Sequence, residues 1–302
     1  MSQASEMIYL GSLLFDRKGR IVLNDSWIIE NLNNALATWN DKLSEIWMLV
    51  SQSPEEFKGG TIWGVVVQIH NALQGVGYGL LILFFAISVF QHTVRLQELR
   101  RPETALRLFI RFVATKTVIT YGMDLMNTIF SICGGIVQTI ASGMGDLTQA
   151  NATLPEEIQK AVEEVSFLES IPLWLVSFLG SLFILLMSFV LILTVYGRFF
   201  KLFLYTALAP IPLSTFAGEV TSHTAKTFLK SYIGVCLEGA VIVLACTIYS
   251  AFLSSGTSGL PDVGQSAVAM IWAYMGETIF NMLVLTALVK GADRVVKEML
   301  AL

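Results

Sequence analysis

The chain has 302 residues, 54% of them hydrophobic and only 14% charged, with a formal net charge of -4. Soluble domains carry about 25% charged residues, so this composition excludes an ordinary soluble domain and points to an all-α polytopic membrane protein. Cys133, Cys236 and Cys246 lie in apolar stretches without paired spacing or a neighbouring His cluster, so they read as buried free thiols rather than a disulfide frame or a metal site.

The apolar run Met7 to Phe15 is short, lacks a basic flank and meets Asp16, so no cleavable signal peptide is expected. Asn24, Asp25 and Ser26 offer a helix cap. Beyond them Ile28, Leu32, Ala35, Trp39, Leu43, Ile46, Trp47 and Val50 recur at helical spacing, with Glu30, Asn33, Asn34, Asp41, Ser44 and Glu45 opposite. This predicts an amphipathic N-terminal helix within an outer region 1–60, lying on the membrane surface or against a partner. Gly59-Gly60 closes that region.

The first span is expected over 62–91, which has no Asp, Glu, Lys or Arg. Gln68, Asn71, Gly75 and Gly79 share one face, a small and polar seam suited to close helix contact. His70 and Gln74 are the other polar groups there, and an interhelical hydrogen bond is the expected use of His70. Residues 95–116 read as an interfacial elbow helix with Pro102 acceptable as a first-turn residue. Arg100, Thr104, Arg107, Arg111 and Thr115 line one face, Leu106, Phe109, Ile110 and Val113 the other.

A second span, 117–142, carries the hydrophilic stripe Thr117, Thr120, Asp124, Asn127, Thr128 and Ser131. A carboxylate in hydrocarbon is costly, so Asp124 is expected to face protein or a water-filled path. An acidic outer loop, 143–170, contains a short helix opened by Pro155, Glu156 and Glu157. The third span, 171–197, has no charge and is the most lipid-like. Fourth and fifth spans follow at 231–254, with Glu238, and 267–289, where Tyr274, Glu277 and Asn281 share a face.

Between the third and fourth spans lies the apolar stretch 198–218, interrupted by Pro210 and Pro212. Proline removes a backbone donor and clashes with the preceding turn, so a straight spanning helix is disfavoured. In hydrocarbon the freed backbone groups must be covered by protein or a cavity. Read as a re-entrant segment over 202–218, the stretch gives five spans, an outside N-terminus and an inside C-terminus. The inner segments 93–116, 198–230 and 290–302 then hold 13 of the 19 Lys and Arg, and the outer segments hold 15 of the 23 acids. If the stretch crossed instead, the Lys290, Arg294 and Lys297 tail would move outside, against the positive-inside bias. Arg95, Arg100, Arg101, Arg107, Arg111, Arg198 and Lys201 would form the inner basic face.

No phosphate-binding Gly-rich loop with a following Lys, and no HExxH, is present, and His70, His92 and His223 are scattered. An enzyme is not expected, and no cofactor is implied. One alternative is a secondary transporter or ion channel holding an ion at an acidic midplane site built from Asp124, Glu238 and Glu277. Against it, the chain has no inverted repeat and one broken segment rather than a matched pair. An accessory interaction protein is a third reading.

The segment TVYGRFFKLFLYTALAPIPLSTFAGE, from Thr194 to Glu219, resembles the TrbL-type channel subunit of conjugative type IV secretion systems, in the form carried by integrative elements of Gram-positive bacteria. SPEEFKGGTIW (Ser53 to Trp63), FLKSYIGVCLEGAVIVLACTIYS (Phe228 to Ser250) and GETIFNMLVLTALVKGADRVVKEML (Gly276 to Leu300) extend the resemblance. It implies an outside N-terminus, several spans and an oligomeric membrane component of the DNA- and protein-transfer channel. The implied partners are copies of itself, other secretion membrane subunits, ATPases and lipids, and it implies no catalytic residues. The inner basic charges are accounted for by topology alone, so contact with transferred DNA stays open.

Overall fold

The computed structural model describes residues 25–94, 102–144, 152–163, 167–254 and 267–302, and among them every regular element is helical. In chain order these are α1 (Asp25–Ser51), α2 (Thr61–Val94), α3 (Pro102–Thr120), α4 (Gly122–Met144), α5 (Glu156–Glu163), α6 (Phe167–Leu208), α7 (Pro210–Ser214), α8 (Ser222–Ser254) and α9 (Ala267–Met299). Short 3-10 turns at Phe57–Gly60 and Thr215–Ala217 join them. Five helices, α2, α4, α6, α8 and α9, are long and apolar enough to cross a membrane, as expected for the polytopic fold. In α8, 67% of the most apolar window is buried against 17% in α2 and α4, so α8 is the most protein-enclosed and those two face outward.

Two compact units divide the chain. The first takes its described residues from Met1–Ile46, Asp146–Ile192 and Thr247–Leu288. Here α1 forms on the expected pattern: Ile28, Leu32, Ala35, Trp39 and Ile46 are buried, while Glu30, Asn33, Asn34, Asp41 and Ser44 are exposed. The apolar face is covered by the chain itself. Asn31 Nδ2 donates to Ser181 Oγ at 2.9 Å, and the Trp27 ring stacks on Trp174 at 5.7 Å. Asn40 grips residue 152 from both sides, donating to the Ala152 carbonyl at 2.9 Å and accepting from its N–H at 3.0 Å. That clamp holds the start of the segment leading to α5, whose Ile158 and Val162 are buried.

The second unit takes its described residues from Trp47–Gly145, Leu193–Cys246 and Val289–Leu302. It opens on a left-handed turn, with φ of 50° at Lys58, 73° at Gly59 and 77° at Gly60, which glycine adopts without a Cβ clash. Phe57, ahead of the turn, stacks on Phe199 with ring centroids 4.2 Å apart. From there α2 runs antiparallel to α3 and the start of α4, and α7 packs on both α2 and α3. Leu81, Ile119, Met126, Leu202, Leu213 and Tyr232 form the core between them.

Four sequence expectations change here. The third-span helix does not stop at Gly197: α6 continues to Leu208, and the interruption falls at Ala209, just before Pro210. Helix α3 likewise continues past Lys116 to Thr120, with Tyr121 marking the interruption before α4. The small and polar seam of α2 is not its packed face. Among the described residues nothing lies within 4 Å of a Cβ on Gly75 or Gly79, and Gln68 and Asn71 are exposed. The buried side carries Val66, His70, Gly77 and Leu81 instead, because α7 approaches there. Leu106, Phe109, Ile110 and Val113 of α3 are exposed, but α3 runs alongside the apolar α2, Phe112 against Phe85 and Thr120 against Gln74, rather than across it as an interfacial elbow would.

Candidate functional site

A ridge on α2 holds together two places where neighbouring helices are broken. In an unbroken helix the N–H of residue 210 would bond the carbonyl of residue 206, and proline has no N–H to offer. That stranded Thr206 carbonyl accepts from His70 Nδ1 at 2.7 Å. A carbonyl only accepts, so His70 carries its proton on Nδ1. One turn along, Gln74 Nε2 donates to the carbonyls of Ile119 and Thr120, both at 3.0 Å, where α3 ends before Tyr121. A further turn on, the Tyr78 hydroxyl meets Thr120 Oγ1 at 3.0 Å. His70, Gln74 and Tyr78 stand four residues apart and so share one face of the helix.

The proline segment is stitched from within as well. Ser214 Oγ donates to the Ile211 carbonyl at 2.6 Å, Thr215 Oγ1 to Pro212 at 2.7 Å and Thr221 Oγ1 to Thr215 at 2.8 Å. Pro210 is buried, Pro212 half-buried. Gly77 lies against the break so closely that an added Cβ would sit 2.9 Å from the Pro210 carbonyl oxygen. His70 thus supplies the partner that Pro210 removes, and the hydroxyls bond carbonyls of the irregular turn that follows, as backbone beside lipid requires.

A second cluster joins α6, α8 and α9. Arg198 is not on the inner basic face: it is 2% exposed. Its Nε and an Nη donate to the carbonyls of Val235 at 3.3 Å and Cys236 at 3.4 Å, and its guanidinium lies over the Phe130 and Phe199 rings. The room for it comes from Gly239, where a Cβ would lie 2.7 Å from Arg198 Cζ. Lys201, one turn on, ion-pairs with buried Glu238 at 3.1 Å and with Asp293 at 3.4 Å, and Lys297 holds the second Asp293 oxygen at 2.9 Å. Lys201, Tyr205, Asp293 and Lys297 line a cavity of about 220 Å³ floored by Gly234 and Val235.

The remaining sequence candidates are dispersed. Asp124 is exposed in the first turn of α4, where an acid suits the positive end of the helix dipole. Asn127 Nδ2 donates to Glu55 at 2.7 Å. Glu277 is half-buried and Asn281 buried, both in the first unit. Arg107 is exposed and Arg111 half-buried, while Arg95, Arg100 and Arg101 lie outside the described residues. No group of three His, Cys, Asp or Glu placed to hold a metal ion occurs among the described residues. Cys133, Cys236 and Cys246 are free and buried.

Residues 39–210, more than half of the chain, match the family described as TrbL/VirB6 plasmid conjugal transfer like protein. The chain belongs to this family. Searches of curated proteins and of solved structures found no match. The part shared with the TrbL/VirB6 family ends at Pro210 itself and takes in His70, Gln74, Gly77 and Thr206. As a TrbL/VirB6 protein with five apolar helices, it is a multi-pass membrane component of conjugal transfer.

Two features of this site escaped sequence reasoning: the burial of Arg198 and the role of Asp293. The Asp293–Lys297 spacing of four was the available signal for the second. Nothing local announced the first, because Gly239 stands forty-one positions away.

Proposed function

We propose that the protein is a non-catalytic channel or scaffold subunit of a conjugative type IV secretion system, helping to move DNA and protein across the cytoplasmic membrane. It works as a homo-oligomer beside other membrane subunits, the secretion ATPases and lipids, on an integrative conjugative element. Its N-terminus faces outward and its C-terminus inward.

The observation that carries this reading is the TrbL/VirB6 match over residues 39–210, joined to five helices fit to span a bilayer. The charge asymmetry of the connections supports the orientation. The acids provide little support for the ion-transporter alternative: Glu238 is already neutralised by Lys201, and Asp124 sits at a helix N-terminus.

Deleting the coding sequence from a donor cell tests the reading. Transfer of the element should fall to background and return when the full chain is supplied in trans. A deleted donor that transfers at the normal frequency would reject it.

A further inference from the structure

Two neighbouring helices of the second unit turn polar faces away from the described residues of that unit they pack against. On α2, the buried Val66, His70, Gly77 and Leu81 define one side. Helical spacing puts Gly64, Gln68, Asn71 and Gly75 on the other, all exposed, with nothing among the described residues within 4 Å of a Cβ on either glycine. On α4, Met126, Cys133 and Val137 are buried, and the same spacing puts exposed Asp124, Thr128 and Ser131 opposite them. Exposed apolar residues flank both: Val65, Ile69 and Val76 beside the seam, Ile132 and Ile136 beside the stripe. Each helix therefore carries a lipid-suited strip and, next to it, a strip ill suited to lipid.

We propose that these two strips are the two halves of one interface between copies of this chain, the seam of one copy seated on the Asp124–Thr128 stripe of the next. Their chemistry is complementary. Gln68 and Asn71 bring carboxamide N–H donors, whereas the Asp124 carboxylate only accepts. Gly64 and Gly75 let the facing helix come close, as small residues do between helices in lipid.

Their heights also agree. A Cβ on Gly122 would sit 3.3 Å from the His70 ring, and α2 and α4 run antiparallel. Two residues beyond Gly122, Asp124 is therefore level with Gln68, and Thr128 with Gly64. Rotation about an axis along the bundle preserves height, so a ring of copies brings the strips together. The contact joins unlike surfaces, so it propagates from copy to copy until a ring closes. This inference rests on the self-assembling part of the reading above, and it also names the surfaces that assemble.

The test pairs Gly64→Cys with Thr128→Cys in one chain, leaving Gln68, Asn71 and Asp124 intact, in donor-cell membranes treated with copper phenanthroline. The expected result is a ladder at multiples of the chain mass, absent from either single variant. Gln68→Leu combined with Asn71→Leu, both at exposed positions, should shift the detergent-solubilised oligomer to folded monomer. A double-cysteine chain that stays unlinked while the protein sediments as an oligomer overturns the proposal. So do a dimer from one single variant, cross-links only to a different polypeptide, and full labelling of Thr128→Cys by a membrane-impermeant thiol reagent in the assembled protein. A monomeric variant that still restores transfer to a deleted donor sinks the interface and leaves the transfer role standing. A deletion without effect on transfer sinks the role whatever the ladder shows.

Discussion

His70 donates its Nδ1 hydrogen to the carbonyl of Thr206, the acceptor that Pro210 strips of its helical partner. A histidine on one apolar helix thereby completes the backbone of another. Both groups are buried, so neither finds water once the bond is lost.

His70→Leu should lower stability by about 1–3 kcal/mol, the usual range for stranding a buried polar group. In a Pro210→Ala background the residue-210 N–H is restored and can serve Thr206 itself, so the same His70→Leu change should then matter less. Unfolding temperatures of the four proteins in mild detergent give the coupling. Additive losses would show that His70 acts on something other than this carbonyl.

Glycines 77 and 197 provide a matched contrast. A methyl at Gly77 meets the Pro210 backbone, which cannot swing aside, whereas one at Gly197 meets nothing within 4 Å among the described residues. Gly77→Ala should destabilise by about 1–3 kcal/mol through overpacking. Gly197→Ala should be neutral or stabilise by up to about 1 kcal/mol, because alanine is the better helix former. The same thermal measurement separates them, and equal shifts would contradict the observed approach of α7 to α2.

These contacts show which parts of the molecule a sequence can disclose. Five apolar runs long enough for a bilayer announce α2, α4, α6, α8 and α9 directly, because length and hydropathy are local quantities. The proline break is equally visible. Which side of α2 faces inward is not: periodicity groups Gln68, Asn71, Gly75 and Gly79 correctly, yet leaves open whether that strip or the His70–Gly77 strip meets protein. The inward side is set by where α7 returns, a contact more than 130 residues distant in the chain. Arg198 misleads for a related reason. A charge after 27 uncharged residues reads as the membrane boundary, and only Gly239 and Phe130, brought in by other helices, make room for it inside.

The Arg198–Gly239 pair should therefore behave as one unit. Gly239→Ala drives a methyl into the guanidinium and is expected to lose about 1–3 kcal/mol. Arg198→Met removes the group it collides with, so the double variant should be more stable than the sum of the singles implies, by a coupling of about 0.5–3 kcal/mol. Simple additivity in detergent melts would mean that the two residues do not touch.

Lys201 carries the last prediction. It reaches both Glu238, whose side chain is 7% exposed, and Asp293, which Lys297 also holds. Removing the lysine leaves a buried carboxylate facing another acid, whereas removing the Glu238 charge leaves Lys201 still paired with Asp293 and still open to solvent. Lys201→Met should thus be the more damaging change and Glu238→Gln the milder. The double variant should recover much of the loss, because an unpaired buried charge is worse than no charge at all. Because Lys201 is 43% exposed, the differences should sit well below the roughly 3–5 kcal/mol seen for fully buried pairs. Melting temperatures at neutral pH, together with transfer frequency from complemented donors, test the ordering; a Glu238→Gln protein less stable than Lys201→Met would refute it.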